Sequence, residues 1–426
     1  MNVMLLEISN LKSGISNLSS FIIHHSAFII SPSLLVRIAW LIFFGWIVGG
    51  ALTLLSLARQ KFLGASAKGE GLATGGWPLV SVLVPARNEE GRILAASLRS
   101  ALAQDYENFE VVAVDDRSTD ATVLIMRQVA AEDARLRVVE GRELPGGWLG
   151  KPYALQQALE ASRGEWVLAT DADMLFDPAA LRSALTYALR KELDALSLFP
   201  DFEAHTFWER VFIPTWGWGV LILYPLDIVN HPRSPLAAGI GGFEAIRAEV
   251  LDDFRLAGAL KSSGARIRAE YAPRLARTRM YTDFRGLWES ATKNWFAAVH
   301  FSPLLVVGAL VWIFTVGLVP AFLATLSGLM ILAGGGGEPW RQLFVPSASA
   351  WAVYVALLAL VNRRFGVPAR YALTAPLGWI LCCAVLVGSA VGVISGKGLT
   401  WRGRRFYERA GVRPPKGKVR SQNAGR

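Results

Sequence analysis

The chain has 426 residues, more than one soluble domain usually needs, and 53% of them are hydrophobic, including fifteen tryptophans. Its formal net charge of +10 is mostly local, because ten Lys and Arg residues but only one Glu lie from Lys397 onward. Such a basic segment beside a membrane span does not require a nucleic acid partner. The adjacent pair Cys382 and Cys383 indicates neither a disulfide framework nor a zinc site, and the five histidines have no metal-ligand spacing. The composition therefore predicts a membrane protein with a separate globular domain.

The N-terminal part predicts a membrane anchor followed by a linker. Ile38 to Leu57 is a nearly uncharged run of 20 residues, long enough to cross the hydrocarbon core of a bilayer. Residues 1–36 before the anchor are of low complexity, and residues 59–78 after it are rich in Gly, Ala and Lys. The globular domain is expected to begin after that linker.

Two strand-like runs then end in polar turns. Leu79 to Val84 stops at the segment Pro85 to Glu90, and Phe109 to Val114 stops at Asp115-Asp116, with a helical pattern after each. Strand, polar turn, helix and strand in this order are typical of a parallel α/β sheet, whose ligands bind beyond the carboxyl ends of the strands. The polar turns are therefore candidate binding elements.

A third apolar run is followed by two carboxylates one residue apart. Trp166 to Ala169 precedes Asp171 and Asp173. If that run is a buried strand, its period of two places both carboxylates on one face at the C-terminal edge of the strand, where they could share one hard divalent cation and leave positions open for a diphosphate. The alternative is an ordinary solvated turn.

Four segments in this order resemble a known family. VSVLVPARNEE, EVVAVDDRSTDAT, GGWLGKPYALQQAL and ATDADMLFDP are similar to the family 2 glycosyltransferases with the GT-A nucleotide-sugar fold. They are closest to a membrane-bound bacterial branch that includes hopanoid-associated and carotenoid-acid glycosyltransferases. The resemblance covers roughly residues 78–303 and resumes at residues 399–407. It implies an α/β domain with a mostly parallel sheet and helices on both faces, joined to transmembrane helices.

The resemblance also implies roles in binding the nucleoside. Pro85, Ala86 and Glu89 would line the nucleoside pocket, and Asp115 or Asp116 would accept a hydrogen bond from the base. A carboxylate opposite an imide N–H makes a charge-assisted hydrogen bond, which would select the base. The alternative for Asp115 and Asp116 is to cap the following helix, and one residue could do each.

The diphosphate and metal roles follow from the same resemblance. Lys151, after a glycine-rich loop, would meet the diphosphate; otherwise it is a solvated surface lysine. Asp171 would contact the donor, and Asp173 together with Asp171 would hold a divalent cation, Mg²⁺ or Mn²⁺. The cofactor expected for this chain is therefore a divalent cation.

The acidic pair Asp252-Asp253 supplies the catalytic residues in this interpretation. The resemblance implies that Asp253 takes the proton of the acceptor hydroxyl as general base. A carboxylate acceptor would need this base much less. The alternative is that Asp252 and Asp253 only cap a helix that begins near Phe254.

Two departures from the family bear on activity. About fifteen residues that relatives carry between the equivalents of Pro235 and Gly241 are missing, which shortens or removes a strand near the sugar. Thr292-Lys293-Asn294-Trp295 stands where processive polysaccharide synthases carry a Gln/Arg-Xaa-Xaa-Arg-Trp signature. A catalytically silent membrane protein therefore remains an alternative to an enzyme, whereas a polysaccharide synthase is less favoured.

The C-terminal part predicts further membrane spans but leaves their number open. Pro303 to Ala333, Val345 to Val361 and Leu373 to Ser395 are candidates. Three crossings would put the basic tail on the side opposite the catalytic domain, although such a tail is expected at the cytoplasmic surface. One solution is that the first candidate, which contains Pro320, forms a re-entrant hairpin.

One apolar segment falls inside the predicted catalytic domain. Phe202 to Leu226 is rich in Trp and is interrupted by Pro214. It is either an interfacial segment that guides a lipid acceptor, with Trp208, Trp216 and Trp218 at the headgroup level, or a buried core helix.

The sequence thus predicts a multi-pass inner-membrane glycosyltransferase with a cytoplasmic catalytic domain. It would move a sugar from a nucleotide-sugar donor to a lipid acceptor, with inversion at the anomeric carbon. The expected domains are an extension (1–36), an anchor (37–58), a linker (59–78), the GT-A domain (79–302), transmembrane helices (303–395) and a basic tail (396–426).

Overall fold

The computed structural model describes residues 31–59, 62–65, 76–223, 230, 264–334, 337–401 and 404–406. The chain divides into two compact units. The helical unit comprises Met1–Ala58, Arg210–Ile222 and Leu304–Ala384. The α/β unit comprises Arg59–Glu209, Leu223–Pro303 and Val385–Arg426.

A four-stranded parallel sheet organises the α/β unit. Its strands are β1 (Val80–Ala86), β2 (Phe109–Asp115), β3 (Leu136–Glu140) and β4 (Trp166–Ala169), in the order β3-β2-β1-β4. The two predicted apolar runs are thus the two central strands, and all seven residues of β2 are buried. The chain leaves β1 toward β2 and β3 and then returns to the other side of β1. Ligands of α/β proteins bind beside such a reversal, beyond the carboxyl ends of the strands.

Helices cover both faces of this sheet. After α1 (Pro32–Arg59), which belongs to the helical unit, these covering helices are α2 (Leu94–Leu102), α3 (Thr122–Glu132) and α4 (Gly150–Ala161). Side chains of β1 and β2 alternate between two cores, because successive strand residues point to opposite faces. Val82 packs with Leu98 and Met126 of α2 and α3, whereas Leu83 packs with Leu155 of α4.

Smaller sheets extend the α/β unit. The remaining strands are β5 (Met174–Phe176), β6 (Ala195–Phe199), β7 (Asp201–Phe202), β8 (Ile267–Tyr271) and β9 (Ala276–Thr278), with helix α5 (Ala180–Arg190) between β5 and β6. β9 pairs antiparallel with β5 and parallel with β7, and β6 pairs parallel with β8. Helices α6 (Phe207–Leu223) and α7 (Phe284–Ala298) flank β8 and β9 in the chain. The last strands, β10 (Leu399–Trp401) and β11 (Arg404–Phe406), form a hairpin, and β10 packs against α7.

Within the part of the chain that the structure describes, four helical stretches are long and apolar enough to span a bilayer: Ser33–Arg59, Pro303–Leu332, Glu338–Arg364 and Ala369–Ile394. Each contains or closely overlaps a span expected from the sequence. The elements after α7 are α8 (Pro303–Trp312), a π-helical segment (Ile313–Leu318), α9 (Val319–Leu332), α10 (Glu338–Arg364), a 3₁₀ helix (Ala369–Thr374) and α11 (Ala375–Ile394). The mostly parallel α/β sheet and these four stretches confirm the predicted fold class.

The re-entrant hairpin considered for Pro303 to Ala333 is wrong. Residues 303–332 run as one continuous helical stretch, with the π-helical segment just before Pro320. Proline lacks an N–H and clashes with the carbonyl of the preceding turn. A wider turn at that place relieves both problems without reversing the chain.

The apolar segment Phe202 to Leu226 contains helix α6, most of which belongs to the helical unit. Trp218 is 3% exposed and stacks on Trp46 with ring centroids 5.3 Å apart, beside Tyr354 at 5.7 Å. The interfacial interpretation is wrong for Trp218, which is shielded by other helices. The buried-helix alternative holds there instead, whereas Trp208 is 37% exposed.

Candidate functional site

The loops that follow β1 and β2 are joined by hydrogen bonds. The Asp116 N–H donates to the Ala86 carbonyl at 2.8 Å, and the Glu89 N–H donates to Thr122 Oγ1 at 2.7 Å. Asn88 adopts a φ of 50°, a left-handed conformation that Asn tolerates better than most residues. The two predicted nucleoside-binding loops are therefore held together as one rigid edge.

Asp115 ends β2 at this edge. Its Oδ2 accepts a hydrogen bond from the Ser118 N–H at 3.2 Å, which closes the turn into α3. Its Oδ1 is buried and has no hydrogen-bond partner among the residues that the structure describes. Asp116 beside it is also buried. Asp115 therefore fills the turn role with one oxygen and keeps the other for an additional donor.

Glu89 lies close to the strand end formed by Pro85 and Ala86 and is 8% exposed. Burial raises the pKa of Glu89 to about 7, because a desolvated carboxylate is costly; the nearby Arg92 opposes this, whereas Asp171 adds to it. The Glu89 carboxyl group therefore changes its protonation state near neutral pH. A cation or a hydrogen-bond donor arriving at this edge would favour its ionised form.

The acidic pair lies in a turn rather than on a strand. β4 ends at Ala169, and Asp171 and Asp173 occupy the connection to β5. The period-two argument for their common orientation is therefore wrong. β4 is also only partly buried, in contrast to the buried strand that the sequence predicted.

Each carboxylate of the pair contacts a different basic side chain. Lys151 Nζ lies 2.9 Å from Asp171 Oδ1, so the structure brings together two residues that the sequence assigned to the donor. Arg92 Nη2 lies 2.9 Å from Asp173 Oδ2, and Arg92 Nε lies 3.5 Å from Glu89. Sequence reasoning missed Arg92. Its position three residues after Glu89, in the turn between β1 and α2, was the available signal.

The main chain fixes the orientation of Arg92. Its Nη2 also donates to the carbonyls of Arg279 and Met280 at 3.3 and 3.2 Å. Arg279 in turn pairs at 3.1 Å with Glu209, whose side chain is fully buried. The segment after β9 therefore holds the guanidinium over Asp173.

The pKa values of Asp171 and Asp173 are shifted in opposite directions. Lys151 holds the pKa of Asp171 below its usual range, whereas burial, reinforced by the charge of Asp171, raises the pKa of Asp173. Half of the Asp171 side chain is exposed, but only 19% of the Asp173 side chain. Asp173 is thus a carboxyl group that an additional cation would ionise.

This donor set fits a magnesium or manganese ion that is shared with a ligand. No group of three or more His, Cys, Asp or Glu residues within the described ranges is arranged to hold a metal alone. Two carboxylates can supply part of the coordination shell of a hard divalent ion. Phosphate oxygens and water would fill its remaining positions. Asp173 and Asp171 therefore satisfy the chemistry of the expected cation.

The two predicted catalytic residues cannot be placed. Asp252 and Asp253 lie outside the described residues, as does the shortened stretch before Gly241. The roles of both remain predictions, and so does the effect of the missing residues.

Comparison with known proteins gives a family match. Residues 81–254 match Glycosyl transferase family 2. A beta-monoglucosyldiacylglycerol synthase of Nostoc is 38% identical over 186 residues, which are 42% of this chain and 37% of the relative. A dodecaprenyl-phosphate galacturonate synthase of Rhizobium johnstonii is 32% identical over 120 residues, which are 28% and 34% of the two chains. The chain spans less than two fifths of the length of these curated relatives.

A solved structure also overlaps with this chain. It is the mannosyltransferase PcManGT of Pyrobaculum calidifontis, in complex with GDP-mannose and Mn²⁺. The overlap has a TM-score of 0.44 at 20% identity and covers 84% of this chain and 98% of that one.

Proposed function

We propose that this chain, which belongs to family 2 of the glycosyltransferases through residues 81–254, transfers a sugar from a nucleotide-diphosphate sugar to a lipid-like acceptor. The family match confirms what the four sequence motifs indicated. The observation that carries the proposal is the Lys151–Asp171 pair, 2.9 Å apart, beside Asp173 and close to the carboxyl ends of β1 and β4. At that edge the ammonium group of Lys151 can bind a diphosphate directly, and the two carboxylates can bind it through a divalent cation.

The donor would be bound in three parts. Asp115 Oδ1, which has no partner among the described residues, is suited to accept an N–H of the base, and the joined loops after β1 and β2 would enclose the nucleoside beside Glu89. Lys151 would exchange its contact with Asp171 for a diphosphate oxygen. A divalent cation held by Asp173 and Asp171 would neutralise the charge of the leaving diphosphate.

The transfer itself would be a single displacement. The acceptor oxygen attacks the anomeric carbon on the face opposite the diphosphate, the bond to the diphosphate oxygen breaks, and the configuration inverts. By family resemblance, the acceptor proton would pass to the carboxylate of Asp253, with Asp252 beside it. Such a base typically accelerates a reaction by about 10²–10⁴-fold.

A lipid acceptor is supported by the four stretches that are apolar and long enough to cross a bilayer. The names of two relatives point the same way, because one is named beta-monoglucosyldiacylglycerol synthase and the other dodecaprenyl-phosphate galacturonate synthase. The acceptor class proposed for this chain is therefore a membrane lipid, and its location the bacterial inner membrane.

We place the α/β unit on the cytoplasmic side, where nucleotide sugars are made. Helix α7, which precedes the C-terminal helices, and β10, which follows them, pack together within this unit. Three crossings between them would put α7 and β10 on opposite sides of the bilayer. Two crossings fit, and α11 is the helix that would not cross: its Ser389 Oγ accepts from the Phe296 N–H of α7 at 2.9 Å and donates to the Thr292 carbonyl.

The test is an assay on membranes that contain the full chain. Membranes are incubated with labelled nucleotide-sugars and a lipid extract, with and without a chelator. A labelled lipid that forms only without the chelator is the expected result. Nucleotide binding without any lipid product would instead favour the catalytically silent alternative, and restoration by a family-length segment grafted before Gly241 would identify its cause.

A further inference from the structure

A buried carboxylate closes the first turn of helix α6. Glu209 Oε2 accepts hydrogen bonds from the His205 N–H at 2.6 Å and from the Thr206 N–H at 3.3 Å. In return, Thr206 Oγ1 accepts from the Glu209 N–H at 3.4 Å. Thr206 and Glu209 thus form a capping box, in which a threonine before the helix and a glutamate three residues later satisfy each other's backbone N–H groups.

The other oxygen of Glu209 makes a contact that a helix cap does not need. Glu209 Oε1 lies 3.1 Å from Arg279 Nη2, and the Glu209 side chain is fully buried. Burial alone would raise the pKa of Glu209, but hydrogen bonds from His205, Arg279 and Thr206 hold it below the usual range. Glu209 is therefore an ionised carboxylate that serves α6 with one oxygen and Arg279 with the other.

Arg279 links this carboxylate to the acidic turn. Strands β5 and β9 pair antiparallel with Met174 opposite Thr278, so Asp173 and Arg279 lie just beyond this pair at the same end of both strands. The Arg279 carbonyl accepts from Arg92 Nη2 at 3.3 Å, and the same nitrogen lies 2.9 Å from Asp173 Oδ2. A series of direct contacts therefore leads from the start of α6 to the proposed donor site.

We propose that Glu209 is a positioning residue of the donor site: it holds Arg279, whose carbonyl orients the Arg92 guanidinium against Asp173. This assignment rests on the proposed function and adds the first turn of α6 to the donor site. Glu209 contacts the side chain of Arg279, whereas Arg92 contacts the main chain of the same residue. Without the carboxylate, the segment after β9 would be free to shift, and Arg92 with it.

The expected effect falls on the cation proposed to bind at Asp173. Residues that hold a metal ligand in place typically change metal affinity by about 10–100-fold when they are mutated. Glu209 acts through Arg279 and Arg92, so we expect a loss of about tenfold, at the lower end of that range. The nucleoside part of the donor site, at the loops after β1 and β2, should be unaffected.

A purely structural role for Glu209 makes a different prediction. If the carboxylate only caps α6, its loss would lower thermal stability and leave the ligand affinity of the folded protein unchanged. If it positions Arg92, the loss would fall on Mn²⁺-dependent binding of a nucleoside diphosphate and spare the nucleoside. Affinities for these two ligands, measured beside thermal unfolding, separate the two roles.

The experiment is calorimetry on the full-length chain in detergent. UDP, GDP, ADP, CDP and dTDP are tested with Mn²⁺, and the diphosphate that wild type binds is compared with its own nucleoside. Glu209→Gln is expected to weaken the diphosphate by about tenfold and to leave the nucleoside unchanged. Glutamine can still complete a capping box, but its single carbonyl oxygen cannot serve both the cap and Arg279.

Two further variants test the route through Arg279. Thr206→Val removes the hydroxyl of the cap and keeps the ion pair, so this control should lose thermal stability without a selective loss of affinity. Arg279→Met removes the partner of Glu209 and should match Glu209→Gln. The double variant Glu209→Gln/Arg279→Met should lose no more than either single variant, because both changes break one contact. If Glu209→Gln does not fold, Arg279→Met decides, since that side chain is 29% exposed.

Four results would overturn the assignment: unchanged diphosphate affinity in the variants, an equal loss for diphosphate and nucleoside, additive losses in the double variant, or the same selective loss in Thr206→Val. A wild-type chain that binds none of the diphosphates with Mn²⁺ would instead refute the proposed function, and the assignment with it.

Discussion

Arg92 Nη2 and Asp173 Oδ2 lie 2.9 Å apart, and both side chains are largely buried. The guanidinium therefore occupies one oxygen of the carboxylate that is proposed to hold the metal. A bound cation would have to use the other oxygen of Asp173 or displace Arg92. Metal binding and the position of Arg92 are consequently coupled.

The first prediction concerns this carboxylate. Asp173→Asn is expected to weaken Mn²⁺-dependent binding of a nucleoside diphosphate and to abolish sugar transfer, because a neutral amide oxygen binds a hard divalent cation more weakly than a carboxylate does. The variant should remain folded, as judged by its thermal unfolding. Asp194→Asn, at an exposed site of the same unit, serves as the control. Metal-dependent binding that persists in Asp173→Asn would refute the metal assignment.

The second prediction concerns the base. Asp253→Asn is expected to keep donor affinity and to reduce the transfer rate to a hydroxyl acceptor by about 10²–10⁴-fold. Single-turnover measurements with saturating donor would show this, and Asp252→Asn would show which of the two carboxylates is the base. A rate within a few fold of wild type for Asp253→Asn means that another residue is the base or that the acceptor is itself a carboxylate.

The third prediction concerns the stability of the α/β unit. Glu110 accepts hydrogen bonds from Ser81 Oγ at 2.8 Å and from the Arg163 N–H at 2.7 Å. Burial alone would raise the pKa of Glu110, but these hydrogen bonds and the Arg163 guanidinium hold it below the usual range. Glu110→Gln should therefore lower the free energy of unfolding by about 1–3 kcal/mol at neutral pH.

The pH dependence follows from the direction of that shift. A depressed carboxyl pKa stabilises the folded state above the unfolded-state pKa, near 4.5, and this contribution disappears as the pH falls through the folded-state pKa. The difference between wild type and Glu110→Gln should thus shrink below about pH 4.5. Glu132→Gln, which removes one partner of the exposed pair with Arg99, should have a much smaller effect at any pH.

The fourth prediction concerns packing in the helical unit. A Cβ atom at Gly317 would come within 2.7 Å of the Trp379 ring, whereas one at Gly308 would meet nothing within 4 Å. Gly317→Ala should destabilise the protein by about 1–3 kcal/mol, because a well-packed ring cannot move away freely. Gly308→Ala in the same helical stretch is the matched control, and equal thermal stability of the two variants would show that the ring can shift.

The fifth prediction concerns membrane topology. If α11 does not cross, a fluorescent protein fused after Arg426 should fluoresce, and alkaline phosphatase fused there should be inactive. The same two reporters fused after residue 335, between α9 and α10, should give the opposite result. Active phosphatase at the C-terminus would mean that α11 crosses and that the contact of β10 with α7 does not form in the membrane.

Local patterns in the sequence predicted the central strands but not the partners of the site. β1 and β2 are buried on both faces, so their apolar runs were unambiguous, and the loops that follow them had to lie at one edge. Family resemblance assigned Lys151 and Asp171 to the donor but did not predict their contact with each other. Arg92 and Asp173 are far apart in sequence, and no local pattern encodes their pairing.

The acidic turn and α6 were misjudged for a different reason. An apolar run does not reveal where a strand ends, so Asp171 was placed on a strand although β4 ends at Ala169. Aromatic residues occur both at membrane interfaces and in helix contacts. The composition of α6 therefore could not show that Trp218 stacks on Trp46.

The packing of β10 on α7 also dictates an order of biogenesis. The hairpin follows all the helices of residues 303–394 in the chain and is therefore synthesised after them. The α/β unit therefore reaches its final form after insertion into the bilayer, not before. A nascent or uninserted chain would lack the packing of β10 on α7, so its α/β unit would remain incomplete until the helices have entered the membrane.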